Sequence, residues 1–485
     1  MTYASPGLEP AAMLDPEFPP RGSGFPERNE KQPAAEWAHP WELGPAWDWK
    51  PGKILLGSWE GRLLGDPDQK EFGRLGDDRH LVTIAGSRAG KSRTVLIPNL
   101  LRYPGSMLVI DPKGELARET ALARSEGFGQ DVVVLDPFGT SGFESYAYNP
   151  LDELDPASST FIDDIAMVAS SLIIGAKGDN AHWTDGARSL VTGILLYMYA
   201  EGGECSLPRL RRILMGEAGP LTFGEGDGTS LFERMGKSPA FDGRVARVGN
   251  AFRDKSEREG SSIVSTAREQ LAFLDSLPMA SVLGSSHLRL GSLKSRPTTI
   301  YLCLPASRLA THARWLRLVV TLALVELEKD QTSPKHPVLF MLEEFAALER
   351  LEAIERAAGF MAGFGVRLWT ILQDLSQLQA QYEKSWETFI GNAGVLQFFG
   401  NMDLATTQHL SKMLGHATVL ERQDIRVSGS AMDHGDLGIR ETPRSVPLLE
   451  PFEIVRHFAR PTWRQLILSP GRPPIYMERY RNADV

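Results

Sequence analysis

The segment AGSRAGKS, Ala85 to Ser92, joins small residues, a lysine and a hydroxyl in an order suited to holding a polyphosphate. Such a loop needs backbone N–H groups converging on phosphate oxygens, a lysine reaching the β and γ phosphates, and a hydroxyl for Mg2+. Gly90, Lys91 and Ser92 supply the end of the pattern GxxxxGK[ST], whereas its first position holds Ala85, one methyl too many; the neighbouring Gly86 is expected to supply the turn. Gly86, Ser87, Arg88, Ala89, Gly90, Lys91, Ser92 and Arg93 are read as the contacts to ATP, with Ser92 on Mg2+. A helix starting near Lys91 aims its positive end at the phosphates. An ordinary Gly-rich turn is the alternative; the apolar strand before the loop and the helix after it favour phosphate binding.

Hydrolysis needs carboxylates opposite that loop. VLFMLEEF, Val338–Phe345, is an apolar run ending in two acids. In this chemistry one acid supports Mg2+, usually through water, and the next polarises the attacking water. Glu343 is assigned to the metal and Glu344 to the water; the metal position usually holds Asp, so Glu343 is a departure. Asp111, in LVIDPKGEL, also ends an apolar run but has no second acid behind it and ranks below the pair. Gln373, in ILQDLSQL, is placed to hydrogen-bond the attacking water or the γ-phosphate. The catalytic set is therefore Lys91, Glu343, Glu344 and Gln373.

The elements that must position these residues follow from the apolar pattern. His80–Ala85, Ser106–Ile110, Asp131–Leu135, Thr298–Leu304, Pro337–Leu342, Val366–Leu372 and Gly394–Phe399 are short apolar runs, read as buried strands. A helix is expected from Lys91 to Leu101. Strands alternating with helices imply an α/β protein with a parallel central sheet. Phe161–Ile174, Thr184–Tyr199 and Ser262–Leu274 have helical periodicity, as an all-α insertion would. The expected organisation is an N-terminal arm over 1–50, a first nucleotide-binding part over 51–155, an all-α inserted domain over 156–275, and a second nucleotide-binding part with a C-terminal extension over 276–485.

Composition narrows the classes. The 485 residues are 42% hydrophobic and 23% charged, as in a folded multidomain protein. A net charge of −9 excludes a wholly basic nucleic-acid coat. Two cysteines, Cys205 and Cys303, cannot make a disulfide framework and are read as small buried hydrophobes. The first 50 residues hold nine prolines and a net charge of −4, too little apolar surface to offset their ordering entropy. Trp37, Trp41, Trp47 and Trp49 there suggest an arm packed on the chain's own surface, or one that docks on a partner. No apolar run approaches the ~20 residues of a spanning helix, and no leader peptide is apparent. A cytoplasmic chain is expected.

These stretches converge on a family. AGSRAGKSRTVLIPNLL, MLVIDPKGEL, VVVLDPFG, SYAYNPL, VLFMLEEFAALERL, MAGFGVRLWTILQDLSQL and FIGNAGVLQFFGNMDLATTQHLSKMLG resemble, in order, the TraG-type conjugative coupling proteins of type IV secretion, with RSVPLLEPFEIVR a weaker match. The resemblance implies a RecA-like P-loop NTPase domain carrying the inserted all-α domain, and a homo-hexameric ring with ATP sites between subunits. It implies ATP hydrolysis that drives DNA without sequence preference, together with a bound relaxase, toward the secretion channel components. Members usually begin with transmembrane helices, so a separate anchor is expected to bring this chain to the inner face of the cell membrane. The position of an arginine finger in some relatives falls on Met361, which leaves Arg350, Arg356 or Arg88 as sources of that charge. Two other readings stay open: a soluble ring translocase of the FtsK/HerA kind, and an ATP-binding substrate receptor with little hydrolysis. Arg209, Arg211 and Arg212, and Arg244, Arg247, Arg253, Lys255 and Arg258, are basic runs in the insertion; a solvated helix face is the leading reading of the second, and no groove-reading motif accompanies them.

Overall fold

A computed structural model describes residues 35–39, 42–65, 79–176, 178–224, 228–425 and 438–481. Its strands are β1 (Leu55–Trp59), β2 (Arg62–Gly65), β3 (His80–Ala85), β4 (Met107–Ile110), β5 (Asp131–Leu135), β6 (Thr298–Leu302), β7 (Val338–Leu342), β8 (Val366–Leu372), β9 (Ala393–Phe399), β10 (His416–Ile425), β11 (Gly438–Pro447), β12 (Arg464–Leu468) and β13 (Ile475–Glu478). Eleven of them form one sheet in the order β2-β1-β13-β12-β9-β3-β8-β7-β4-β6-β5. The seven from β9 to β5 run parallel. The other four add antiparallel, with β12 against β9. The α/β class with a parallel central sheet is as expected. Strands β3, β4, β6, β7, β8 and β9 are buried at every position, which is why each is a continuous apolar run rather than an alternating one.

Between β5 and β6 every element among the described residues is helical. The helices Phe161–Leu172 and Ala181–Glu201 fall where the periodicity put them. The third starts at Glu257, five residues before its expected start, because the Ser256 hydroxyl accepts the Glu259 N–H at 3.3 Å and caps it. It ends at Gln270 and a 3-10 turn, Ala272–Asp275, follows. Cys303 is buried and Cys205 half-buried.

From Trp37 onward the described part of the N-terminal strip is built into the main unit, which comprises 37–411 and 449–485. Trp47 is fully buried among Ile54, Leu56 and Leu64, and the Ala38 N–H donates to the Pro474 carbonyl at 2.9 Å. Trp41 lies outside the described residues. The second unit holds the hairpin of β10 and β11, paired in unbroken antiparallel register from His416↔Pro447 to Ile425↔Gly438. Among the described residues no helix is long and apolar enough to cross a membrane.

Candidate nucleotide site

Strand β3 delivers the loop Gly86–Gly90 at its C-terminal end. Gly86 opens a turn in which its carbonyl accepts the Ala89 N–H at 3.1 Å. The left-handed residues are Arg88 (φ 56°) and Gly90 (φ 96°). Gly86 is glycine for another reason: a Cβ there would lie 2.0 Å from the Gly400 carbonyl oxygen, just past β9. Among the described residues, the N–H groups of Ser87, Arg88, Gly90 and Lys91 are taken by no other backbone group, so four donors remain for an anion. The Gly90, Lys91 and Ser92 positions are half-buried, Ala89 is buried, and Ser87, Arg88 and Arg93 are exposed.

The helix expected over Lys91–Leu101 has two parts. Ser92–Leu96 is a π turn, with the Ile97 N–H donating to the Ser92 carbonyl, and Ile97–Leu100 continues as α-helix. Pro98 has no N–H to return to the Thr94 carbonyl, which accounts for the wider turn before it. The short helix is pinned to the sheet by buried Asn99. Its Oδ1 accepts the Leu55 N–H at 2.7 Å and its Nδ2 donates to the Leu55 and Val95 carbonyls, both at 2.8 Å.

Two strands from β3, the end of β7 carries Glu343, only 3% exposed. Ile110 and Leu342 are register partners, so Asp111 and Glu343 sit side by side one step beyond β4 and β7. Burial, and then the charge of Asp111, push the Glu343 carboxyl up to about 7, against the pull of Lys91 and Lys113. Asp111 is pushed up to about 6 by burial, opposed by N–H donors that include Ala117, which donates to Oδ2 at 2.8 Å. Glu344 adopts a left-handed backbone (φ 52°) that ends the strand. Gln373 Nε2, just past β8, donates to both Glu344 carboxylate oxygens at 3.2 and 3.1 Å. The Gln373 carbonyl in turn accepts from Asn401 Nδ2 at 3.2 Å.

The structure thus brings Glu344 and Gln373 into contact and puts Lys91 within electrostatic reach of Glu343. Arg88 and Arg93 are exposed and, among the described residues, pair with neither of these carboxylates. Of the arginine-finger candidates, Arg350 pairs with Glu355 at 3.2 Å, Arg356 is exposed, and Met361 is buried. Lys113, Gly400, Asn401 and Arg479 also shape the site. Lys113 lay within the quoted DPKGE stretch, while Gly400 and Asn401 follow an apolar strand as Gln373 does. Arg479 is one of several arginines near the C-terminus with nothing local to single it out.

The first basic run has structural partners. Arg211 is buried and forked onto Asp275 (2.8 and 2.6 Å), Arg209 pairs with Glu201 at 3.0 Å, and Arg212 pairs with Glu204 and Glu217 at 2.8 and 2.5 Å. In the second run Arg253 meets Asp254 at 3.2 Å and Lys255 meets Glu259 at 2.5 Å, while Arg244, Arg247 and Arg258 are exposed.

The chain is 29% identical over 429 residues to the conjugal transfer protein TraG of Escherichia coli, an alignment covering 83% of this chain and 65% of that protein. It is 29% identical over 414 residues to protein VirD4 of Agrobacterium fabrum, covering 84% and 59%. The chain therefore spans less than two thirds of the length of these relatives. In fold it is similar to the bacterial conjugative coupling protein TrwBdeltaN70 (TM-score 0.66, 18% identity, 92% of each chain covered). It is similar as well to the plasmid coupling protein TrwB in complex with ADP and Mg2+ (TM-score 0.64, 17% identity, 93% and 96% covered). The family model for type IV secretory system conjugative DNA transfer matches residues 52–482, and the chain belongs to that family.

Proposed function

We propose that this chain is an ATP-driven DNA translocase that couples relaxase-bound DNA to a type IV secretion channel. It acts as a homo-hexamer and takes DNA without sequence preference. The observation that carries the reading is the Glu344–Gln373 contact at the end of the same sheet edge that presents Lys91 and four unpaired loop N–H groups. The residues fit a nucleotide with a divalent cation. Glu343 is a buried carboxyl with no ion pair among the described residues, the environment in which a cation offsets desolvation. Ser92 and Glu343 would hold Mg2+, which supplies charge neutralisation at the β and γ phosphates.

The chain's own residues then divide the work. Free N–H groups of the loop orient the phosphates, and Lys91 places a fixed positive charge at the β and γ oxygens. Glu344 accepts the proton of the attacking water. Gln373 holds the Glu344 carboxylate by both oxygens, which fixes its direction and couples hydrolysis to the loop after β8.

The test is the ATPase rate of the purified chain with and without single- and double-stranded DNA, with Lys91→Ala as control. DNA-stimulated turnover that the variant loses supports a motor. Nucleotide binding without turnover under every condition refutes it and favours an ATP-binding receptor for protein substrates.

A further inference from the structure

Arg479 follows β13 directly, yet its side chain ends beneath the phosphate loop. It is 1% exposed. One Nη donates to the carbonyl of Ala89 and the other to the carbonyl of Arg460, the latter at 2.6 Å. The rings of Phe399 and Trp463 lie 4.9 and 5.4 Å from its guanidinium carbon. Its backbone is fixed too, the N–H donating to the Trp463 carbonyl at 2.7 Å. No carboxylate pairs with it among the described residues, and burial lowers its pKa to about 10. A buried guanidinium spent on two carbonyls is costly to keep, so the fold gains something specific from it.

The gain lies in the peptide between Ala89 and Gly90. In a trans peptide the carbonyl and the following N–H point in opposite directions. Drawing the Ala89 oxygen down onto Arg479 therefore turns the Gly90 N–H away from it, toward the open side of the loop. That N–H has no backbone acceptor. Gly90 is seated on the guanidinium, where a Cβ would lie 3.6 Å from Nη1, and its φ of 96° is one only glycine adopts readily.

We propose that Arg479 is a positioning residue of the nucleotide site, presetting the Ala89–Gly90 peptide so that the Gly90 N–H faces a phosphate oxygen before nucleotide arrives. The inference rests on the reading of Gly86–Ser92 as a phosphate loop. Arg479 touches the loop's backbone from behind, so it acts on affinity and not on the chemical step.

The experiment uses the full chain and its variants Arg479→Lys, Arg479→Ala and Arg481→Ala, the last removing a neighbour stacked on Trp463. Binding of Mg-ADP is measured by titration, with the nucleotide-free melt and the kcat and KM for ATP alongside. Arg479→Lys keeps the charge but cannot fork onto two carbonyls. Its ADP affinity is expected to fall roughly tenfold or more, with KM rising in step and kcat within about threefold. Arg479→Ala is expected to recover affinity when guanidinium ion is added at non-denaturing concentration, which a general loss of folding would not show. Arg481→Ala is expected to bind as the wild type does. Wild-type ADP affinity in a cooperatively melting Arg479→Lys variant overturns the inference, as does loss of kcat at unchanged KM. If Arg479→Ala does not fold, Arg479→Lys decides alone. A wild-type chain that binds no nucleotide overturns the loop reading itself, and the inference with it.

Discussion

Replacing Glu343 by Gln should stabilise the nucleotide-free chain at neutral and alkaline pH even as it removes the acid assigned to the metal. An unfolded Glu has its ordinary pKa of 4.5, while in the native chain burial and then Asp111 push it to about 7. Between those values the native state keeps a proton that the unfolded state has lost. Stability therefore falls as pH rises through this window and stays reduced above it. The gap amounts to about 3 kcal/mol at pH 8, and about 2–3 kcal/mol of it develops between pH 5 and pH 8. Glutamine keeps the shape and cannot titrate, so the variant escapes this penalty. The assay is urea unfolding in EDTA without nucleotide at several pH values, read as the difference between variant and wild type at each pH. That difference should move in the variant's favour by the stated amount as pH rises. A difference flat with pH, or one moving against the variant, would refute the account of Glu343 as a carboxyl buried without a cation. The same physics ties stability to function, since a group kept at such cost in the empty site is stabilised when a cation arrives.

Three further outcomes are expected. Gly86→Ala places a methyl 2.0 Å from the Gly400 carbonyl oxygen; it should cost about 1–3 kcal/mol by denaturant unfolding and weaken nucleotide binding, and wild-type behaviour in both would remove the packing argument. His80 accepts the Leu368 N–H at Nδ1 (3.0 Å) and donates from Nε2 to the Ala357 carbonyl (3.0 Å), and burial lowers its pKa from 6.5 to about 4. Its neutral form contributes fully above pH 6.5 and is lost as pH falls toward 4, so the chain should lose about 2 kcal/mol by pH 5 relative to a His80→Gln variant, read from urea midpoints. Arg211→Met should lower the melting temperature, because Asp275 and the Arg268 carbonyl lose their partner, while leaving DNA affinity and its salt slope unchanged; weaker DNA binding at unchanged stability would instead make Arg211 a DNA contact.

How far the sequence revealed this fold follows from what surrounds each strand. The parallel strands β3, β4, β6, β7, β8 and β9 are buried on both faces, so their apolar runs stand out, and the phosphate loop and both acids are legible because they end such runs. Strands β1, β2, β12 and β13 gave no such signal, being short, antiparallel and partly exposed. β12 is also masked by chemistry. The Thr83 hydroxyl donates to Gln397 Oε1 at 2.8 Å, Gln397 Nε2 to Gln465 Oε1 at 2.6 Å, and Gln465 Nε2 to the Leu56 carbonyl at 2.7 Å. This buried polar ladder joins the parallel and antiparallel halves of the sheet. Its glutamines interrupt the apolar pattern from which strands are read, and their partners are up to 409 residues apart. The Glu344–Gln373 contact was half legible: each residue ended an apolar run, but their meeting depends on β7 and β8 being neighbours.

The imperfect loop motif has its explanation in the same long-range contacts. A glycine at the first position would free the chain to turn there, yet Ala85 is fully buried and still in register with Phe399, so the chain is still strand at that point and a methyl fits. The demands fall later. Gly86 must approach Gly400, whose N–H is itself held by the Phe458 carbonyl at 2.8 Å, and Gly90 must turn over Arg479. Gly400 answers with its own positive φ of 66°, and a Cβ on it would come 2.5 Å from that of Ala89. The motif thus fixes which atoms face the phosphates, while residues some 300 to 400 positions later fix the curvature that makes them converge. A change at Gly400 or Arg479 should therefore damage nucleotide binding as a change inside the loop would, although neither belongs to the pattern by which the loop is recognised.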